Sequence, residues 1–333
     1  MTLQHTAWRA PGTPGTVLGG VAIGELSTMP GADWPLQRLR APLLCAGAAV
    51  LHEVWHTDGP VASGHSDGIH WRRADDVLWG VIELPEETCA ATDDTSPLRA
   101  ASQLVYERVF KLMRAQGTPH LWRVWNYLAD INGESHGLER YRQFNQGRYT
   151  AFVQAQRDTG GQVPAACAIG VAAGPLSVAF LAGTSPLVPL ENPRQVSAWN
   201  YPAQYGPRAP TFSRAALACP RGQEVLFVSG TASIVGHETW HAGDVAAQCE
   251  ETVRNIEGMV REANRVARSG RPFSLEGLSH RVYVRHASDA NAVQRALAPL
   301  LGGAPVVCVQ ADICRADLLV EIESQAIHPM PSA

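Results

Sequence analysis

The sequence has almost no lysine. Of its 27 lysine and arginine residues, Lys111 alone is a lysine. Biased codon usage accounts for most of that skew. An arginine carries functional meaning only where it is buried, because its planar fork can grip a carboxylate through two bonds. No C-x-x-C pair occurs, and the cysteine count is odd: Cys45, Cys89, Cys167, Cys219, Cys249, Cys308 and Cys314. This argues against a disulfide frame and a thiolate zinc site, and for free thiols in a reducing compartment. No apolar run reaches the length of about 18 residues that a membrane helix needs. The start, MTLQHTAWRAPGTPGTVLGG, has no charged segment followed by an apolar one, as a signal peptide would. A cytoplasmic protein with no membrane partner is expected. A formal net charge of −4 argues against a dedicated nucleic-acid binder, which needs clustered cations.

What is present suits a folded chain. With 333 residues, 45% hydrophobic and 17% charged, two domains with sizeable cores are expected. The first forty residues are rich in Gly and Pro and read as surface wrapping or short strands. Residues 77–84 read as a strand. Ser96 as N-cap, Pro97 at the first helical position and Gly117 beyond the end bracket a helix. Its face is Ala101, Val105, Val109, Leu112 and Met113. Residues 120–131 read as a strand, 137–156 as a helix, and ACAIGVAAG and LSVAFLAG as two strands.

The second half repeats that order. EVLFVSGTASIV (224–235) is a strand. Asp244 caps a helix whose face is Val245, Cys249, Val253, Ile256, Val260 and Ala263. RVYVRHA is a strand, DANAVQRALAPLLG a helix, and VVCVQADI and LLVEIESQ two closing strands. The repeat is one of order, with negligible identity between the halves. Three prolines mark residues 184–195 as the linker. The expected division is therefore 1–190, an N-terminal domain with an irregular extension, and 195–333, a C-terminal domain.

Four features bear on chemistry. His237-Glu238-Thr239-Trp240-His241 fits the H-E-x-x-H zinc-protease pattern, which requires both histidines on one helix face. The preceding GTASIVG is β-branched and glycine-rich, and the helix cap comes only at Asp244, so a loop that binds no metal is expected. Tyr141 and Arg148 lie seven residues apart, two helical turns, and share a face; a core tyrosine beside a solvated arginine is the plainer reading. NYPAQYGPRAPTFSRA displays Tyr201, Tyr205, Arg208 and Arg214 in an irregular, proline-rich stretch suited to binding. On LLVEIES, Glu321 shares a face with Leu319 and Glu323, and Val320 and Ile322 take the other. A carboxyl in a partly apolar setting beside a second acid would have a raised pKa and could act as a general acid. An exposed glutamate on an edge strand is the alternative.

FVSGTASIVGHETWHAGDVAAQCEETVRNIEGMV and the terminal LLVEIES resemble the RidA/YjgF family, whose fold is like that of the bacillus-type chorismate mutase. RVWNYLADINGESHGLERYRQFNQGRYTAF, YGPRAPTFSRA, SGTASIVGHETWHAGD and VQADICRADLLVEIE together resemble the chorismatases over about residues 40–325. The resemblance implies an α+β fold of two fused RidA-like domains, helices packed on mixed sheets. It implies action on chorismate without metal or organic cofactor. It further implies that Tyr141, Arg148, Tyr201 and Arg214 hold the substrate, with Tyr205 and Ala232 beside them, and that Glu321 is the catalytic acid. Cys314, seven residues before Glu321, resembles the 3-hydroxybenzoate-forming subgroup; a pocket-shaping role is expected for it. 4-Hydroxybenzoate as a second product and hydrolysis to a dihydroxycyclohexadiene carboxylate remain open. So do a non-catalytic binding protein, an imine hydrolase using Arg315, and a monomer or homotrimer.

Overall fold

The structure is a computed structural model, and it describes residues 2–9, 16–25, 32–44, 47–89, 92 and 95–331. Cys45 and two stretches of the Gly/Pro-rich start, 10–15 and 26–31, lie outside the described residues. The chain opens with β1 (Leu3–Arg9), β2 (Thr16–Gly24), β3 (Leu36–Leu39), β4 (Leu43–Leu44), β5 (Val50–Thr57), β6 (Ala62–Ser66) and β7 (Ile69–Ala74). β1, β5, β2 and β3, in that order, make a sheet of their own. The short strands expected here are thus long enough to build a third sheet.

The first repeat follows as β8 (Val77–Leu84), α1 (Pro97–Ala115), β9 (His120–Ala129), the small hairpin β10 (Glu134–Ser135) and β11 (Leu138–Glu139), α2 (Arg140–Gln154), β12 (Ala165–Val171) and β13 (Leu176–Gly183). The second runs β14 (Val188–Leu190), β15 (Ala215–Ala218), β16 (Gln223–Ala232), β17 (Ile234–Val235), β18 (Glu238–Thr239), α3 (Val245–Val266), β19 (Ser279–Val284), α4 (Ala290–Leu301), β20 (Val306–Gln310) and β21 (Val320–Pro329). The two sheets are ordered β12-β9-β13-β8-β7-β6 and β20-β19-β21-β16-β15-β14, with β4 added beyond β20. Among the described residues, the only parallel pair in each is the one joined through the second helix. The repeat of order is therefore a repeat of topology. The proline-marked stretch 184–195 is not a bare linker, since β14 pairs with β15 at the edge of the second sheet.

Local chemistry sets the helices. The Ser96 hydroxyl accepts the Arg99 amide at 3.3 Å, and Gly117 takes the positive φ that ends the run. The Asp244 carboxylate accepts the Ala247 amide at 3.0 Å. Both helices bury the face read from their spacing, Val245 alone remaining partly exposed. α1 and α2 cover the outer face of one sheet, α3 and α4 that of the other. The inner faces of all three sheets meet in one core. There Trp55, Trp79, Trp125 and Phe227 close a ring of aromatic contacts with centroids 5.3–6.4 Å apart. Among the described residues no helix is long and apolar enough to cross a membrane.

Candidate active site

β21 lies between β16 and β19, so the edge-strand alternative for Glu321 does not hold. Val320 and Ile322 pack into the α3–α4 core, while Glu321 and Glu323 turn to the opposite face, toward the first half. Glu321 is 4% exposed. Burial and the neighbouring Glu323 raise its carboxyl to about 8.

Facing it, the β16–β21 register breaks between Val228 and Thr231, and Gly230 sits in that irregularity. A Cβ on Gly230 would lie 1.9 Å from Glu321 Oε1 and 3.2 Å from Cys167 Cβ. Only glycine leaves room for the acid. Strand alternation sends Gly230 and Ala232 to the cavity and leaves Thr231 and Ser233 buried elsewhere.

The cavity beside Glu321 is about 500 Å³, within the ordinary range for a small-molecule site. It lies at the junction of the halves. Seven of the eight residues that the family resemblance assigns to the site line it: Tyr141, Tyr201, Tyr205, Arg214, Ala232, Cys314 and Glu321. Arg148 does not. It is buried with its guanidinium over the rings of Tyr106 (5.0 Å) and Phe152 (5.5 Å). Its Nε and Nη2 have no hydrogen-bond partner among the described residues. The solvated-arginine reading of Arg148 fails equally. Arg208 is exposed and stacks on Tyr149 instead.

Arg214 is fixed from several sides. Nη2 donates to the Tyr201 hydroxyl and the Val196 carbonyl, both at 2.7 Å, and the backbone amide donates to Glu191 at 3.0 Å. Its Nε has no partner among the described residues. A second cavity arginine, Arg315, stacks on Tyr205 at 4.1 Å and donates from Nη1 to the His237 carbonyl at 2.8 Å. Its Nη2 is likewise unpartnered among the described residues. In the sequence Arg315 stands out only as a residue for imine hydrolysis, and nothing in its spacing sets it apart from the chain's other arginines. Cys314 is half-buried. Burial and Glu321 push its thiol up to about 12, so it is a neutral thiol near pH 7 and no thiolate nucleophile. Burial, Cys314 and Glu321 raise the Tyr141 hydroxyl as well.

Three polar residues outside the cavity shape its walls. Arg285 donates to the carbonyls of Leu318 (2.8 Å), Ile313 (3.0 Å) and Arg315 (2.8 Å) and pairs with Asp312 at 2.7 Å. It thereby folds the loop that carries Cys314 and Arg315. On α3, Gln248 donates to the Asp317 carbonyl at 3.0 Å and accepts the Leu319 amide at 2.8 Å. Two helical turns on, Asn255 donates to the carbonyls of Ala232 and Ile234 at 3.1 and 2.9 Å. Their signal was a polar residue inside an otherwise apolar helix face.

The H-E-x-x-H pattern forms the β17–β18 hairpin and the turn after it, with positive φ at Gly236 and His241. Its histidines share no helix face. His237 instead braces Tyr205, Nδ1 to hydroxyl 3.2 Å. Among the described residues no group of three or more His, Cys, Asp or Glu is placed to hold a metal. Another cavity, about 640 Å³, lies between α4, β20, Leu44 and Leu51, and among the described residues no charged side chain lines it.

A curated chorismatase of Streptomyces rapamycinicus is 43% identical over 279 residues, covering 81% of this chain and 80% of its own. The chain belongs to the chorismatase family. The family model described as "Chorismatase FkbO/Hyg5-like, N-terminal" matches residues 53–182. A 3-hydroxybenzoate synthase of Streptomyces hygroscopicus is 35% identical, covering 92% of this chain and 90% of its own. A solved chorismatase crystal structure superposes with a TM-score of 0.83 at 35% identity, over 98% of both chains. The chorismatase fold thus spans both repeats and the additional N-terminal sheet.

Proposed function

We propose that this enzyme converts chorismate to 3-hydroxybenzoate and pyruvate, with Glu321 as the acid. The observation that carries the reading is a buried carboxyl, Glu321, lining a cavity that Arg214 and Arg315 line as well. Chorismate has two carboxylates, and two guanidinium forks suit a dianion. Arg148, set behind the cavity, is left out of this pair. The Tyr141, Tyr201 and Tyr205 rings flank the substrate.

Glu321 gives its proton to the enolpyruvyl methylene, making an oxocarbenium-like centre. The neighbouring 4-hydroxyl attacks ring carbon 3, the bond from that carbon to the enolpyruvyl oxygen breaks, and pyruvate leaves. The hydroxyl proton returns to the Glu321 carboxylate. The resulting arene oxide opens to the aromatic product, and no water is consumed. Phe212, Ala232 and the neutral Cys314 thiol give that side of the cavity an apolar lining that disfavours attack by water.

The test is incubation of chelator-treated enzyme with chorismate and chromatographic separation of the products. Pyruvate with 3-hydroxybenzoate supports the reading, 4-hydroxybenzoate alongside loosens product choice, and a diol overturns it. Turnover needs the acid form, so kcat/KM should fall as pH rises through about 8. Glu321→Gln should bind chorismate and lose nearly all turnover, because an amide delivers no proton. Near-normal turnover in that variant removes Glu321 from the mechanism. The three sheets close on one another within one chain, which supports a monomer over a homotrimer; sedimentation velocity distinguishes them.

A further inference from the structure

Behind Glu321 lies a buried ionic network drawn from all three sheets. Arg123 of β9 pairs with Glu323. Arg281 of β19 forms an ion pair with Glu323 at 2.8 Å and donates to Glu53 of β5 at 2.7 Å. The Tyr283 hydroxyl donates to Glu323 at 3.0 Å, and Gln325 donates to Glu53 at 2.6 Å. His5 lies 3.3 Å from Glu53. All four charged residues are at most 4% exposed. Each of the two carboxylates has its own guanidinium partner, with His5 beside Glu53, so the network is paired without Glu321. Glu323 and Glu321 are alternate residues on one face of β21, about 6.6 Å apart along the strand.

We propose that Glu323 is a positioning residue for catalysis: a fixed negative charge, locked by Arg123 and Arg281, that keeps Glu321 in its protonated, proton-donating form. Ionising Glu321 would put a third carboxylate beside two cations that are already engaged. The other groups around Glu321 do not take that role. Cys167 of β12 and Cys314 of the preceding loop are neutral thiols, and Tyr141 of α2 is a neutral phenol. Arg285 is paired with Asp312. Arg214 and Arg315 face the cavity, where the substrate's carboxylates neutralise them. The Glu53 end is firmly ionised: burial would raise its carboxyl, but Arg281 and His5 hold it far below the usual range.

The inference rests on the proposed acid role of Glu321, and a readout independent of turnover separates the two. The C=O stretch of the protonated Glu321 carboxyl is followed by infrared difference spectroscopy against pH and identified by its absence in Glu321→Gln. In Glu323→Gln, loss of that band should move acidward by about one to two pH units. The alkaline limb of kcat/KM should move with it, and Glu323→Asp should restore much of the shift. Glu53→Gln, on another sheet and away from the cavity, turns Arg281 wholly toward Glu323 and should give a smaller shift of the same sign. It decides the matter if Glu323→Gln does not fold. A titration midpoint unmoved in the folded variants, with activity lowered evenly at every pH, would assign the network a structural role and overturn the proposal. A moved band without chorismate turnover would leave this inference standing and sink the substrate reading instead.

Discussion

At the scale of the single residue, the site depends on one missing side chain. Gly230 lets the Glu321 carboxyl come within a distance that no Cβ permits. Gly230→Ala should keep the fold, because its severe clash is with the far end of the Glu321 side chain, and the Cys167 Cβ at 3.2 Å need give by only a few tenths of an ångström. It should lower kcat about 100-fold by displacing the acid, as kinetics paired with an unchanged circular dichroism spectrum will show. Glu321 itself carries a thermodynamic cost. The folded chain keeps this proton up to about pH 8, whereas an unfolded chain releases it near 4.5. The group's full contribution to stability is present below the unfolded value and drains away as pH rises to about 8. Above that, Glu321→Gln should be more stable than the parent by a few kcal/mol, roughly, in denaturant melts. The two-residue alternation of LLVEIES is enough by itself to put Glu321 and Glu323 on a shared face. Whether that face meets water depends on strand order, which no local pattern encodes.

At the scale of the element, α3 is both a core helix and the rear support of the cavity. Its apolar spacing and Asp244 cap were legible, because each is a local rule with a local cause. Gln248 and Asn255 were not, since their partners are backbone groups on β16, β17 and the 314–319 loop. Gln248→Met keeps the volume and leaves a part-buried amide and carbonyl without their side-chain partner. It should cost about 2 kcal/mol of stability. It should also lower kcat/KM about tenfold as the Cys314–Arg315 loop loosens. Full activity in that variant would mean that Arg285 alone holds the loop. The zinc-like H-E-x-x-H string shows the converse. The β-branched, glycine-rich residues before it marked it correctly as non-helical, yet its actual work, bracing Tyr205 and Arg315, follows only from the hairpin's position.

At the scale of the whole molecule, two halves were legible and the third sheet was not. The first forty residues carry too many glycines and prolines for their strands to show a clean alternation. Yet Trp55 from that sheet completes the aromatic core, and Glu53 completes the ionic network. The repeats should therefore not melt apart. Tryptophan fluorescence and far-ultraviolet circular dichroism should report a single coincident transition, and two separated transitions would restore independent domains. Where β21 falls in the chain order has a further consequence for how the protein is made. The strand in the middle of the second sheet is synthesised after every other described strand. Until its ten residues have left the ribosome, β16 and β19 have no partner between them, and Arg123 and Arg281 wait without Glu323. A nascent chain that already holds all the other described strands is still without its acid. A message cut short before that strand would yield a chain with neither a closed second sheet nor a proton to give.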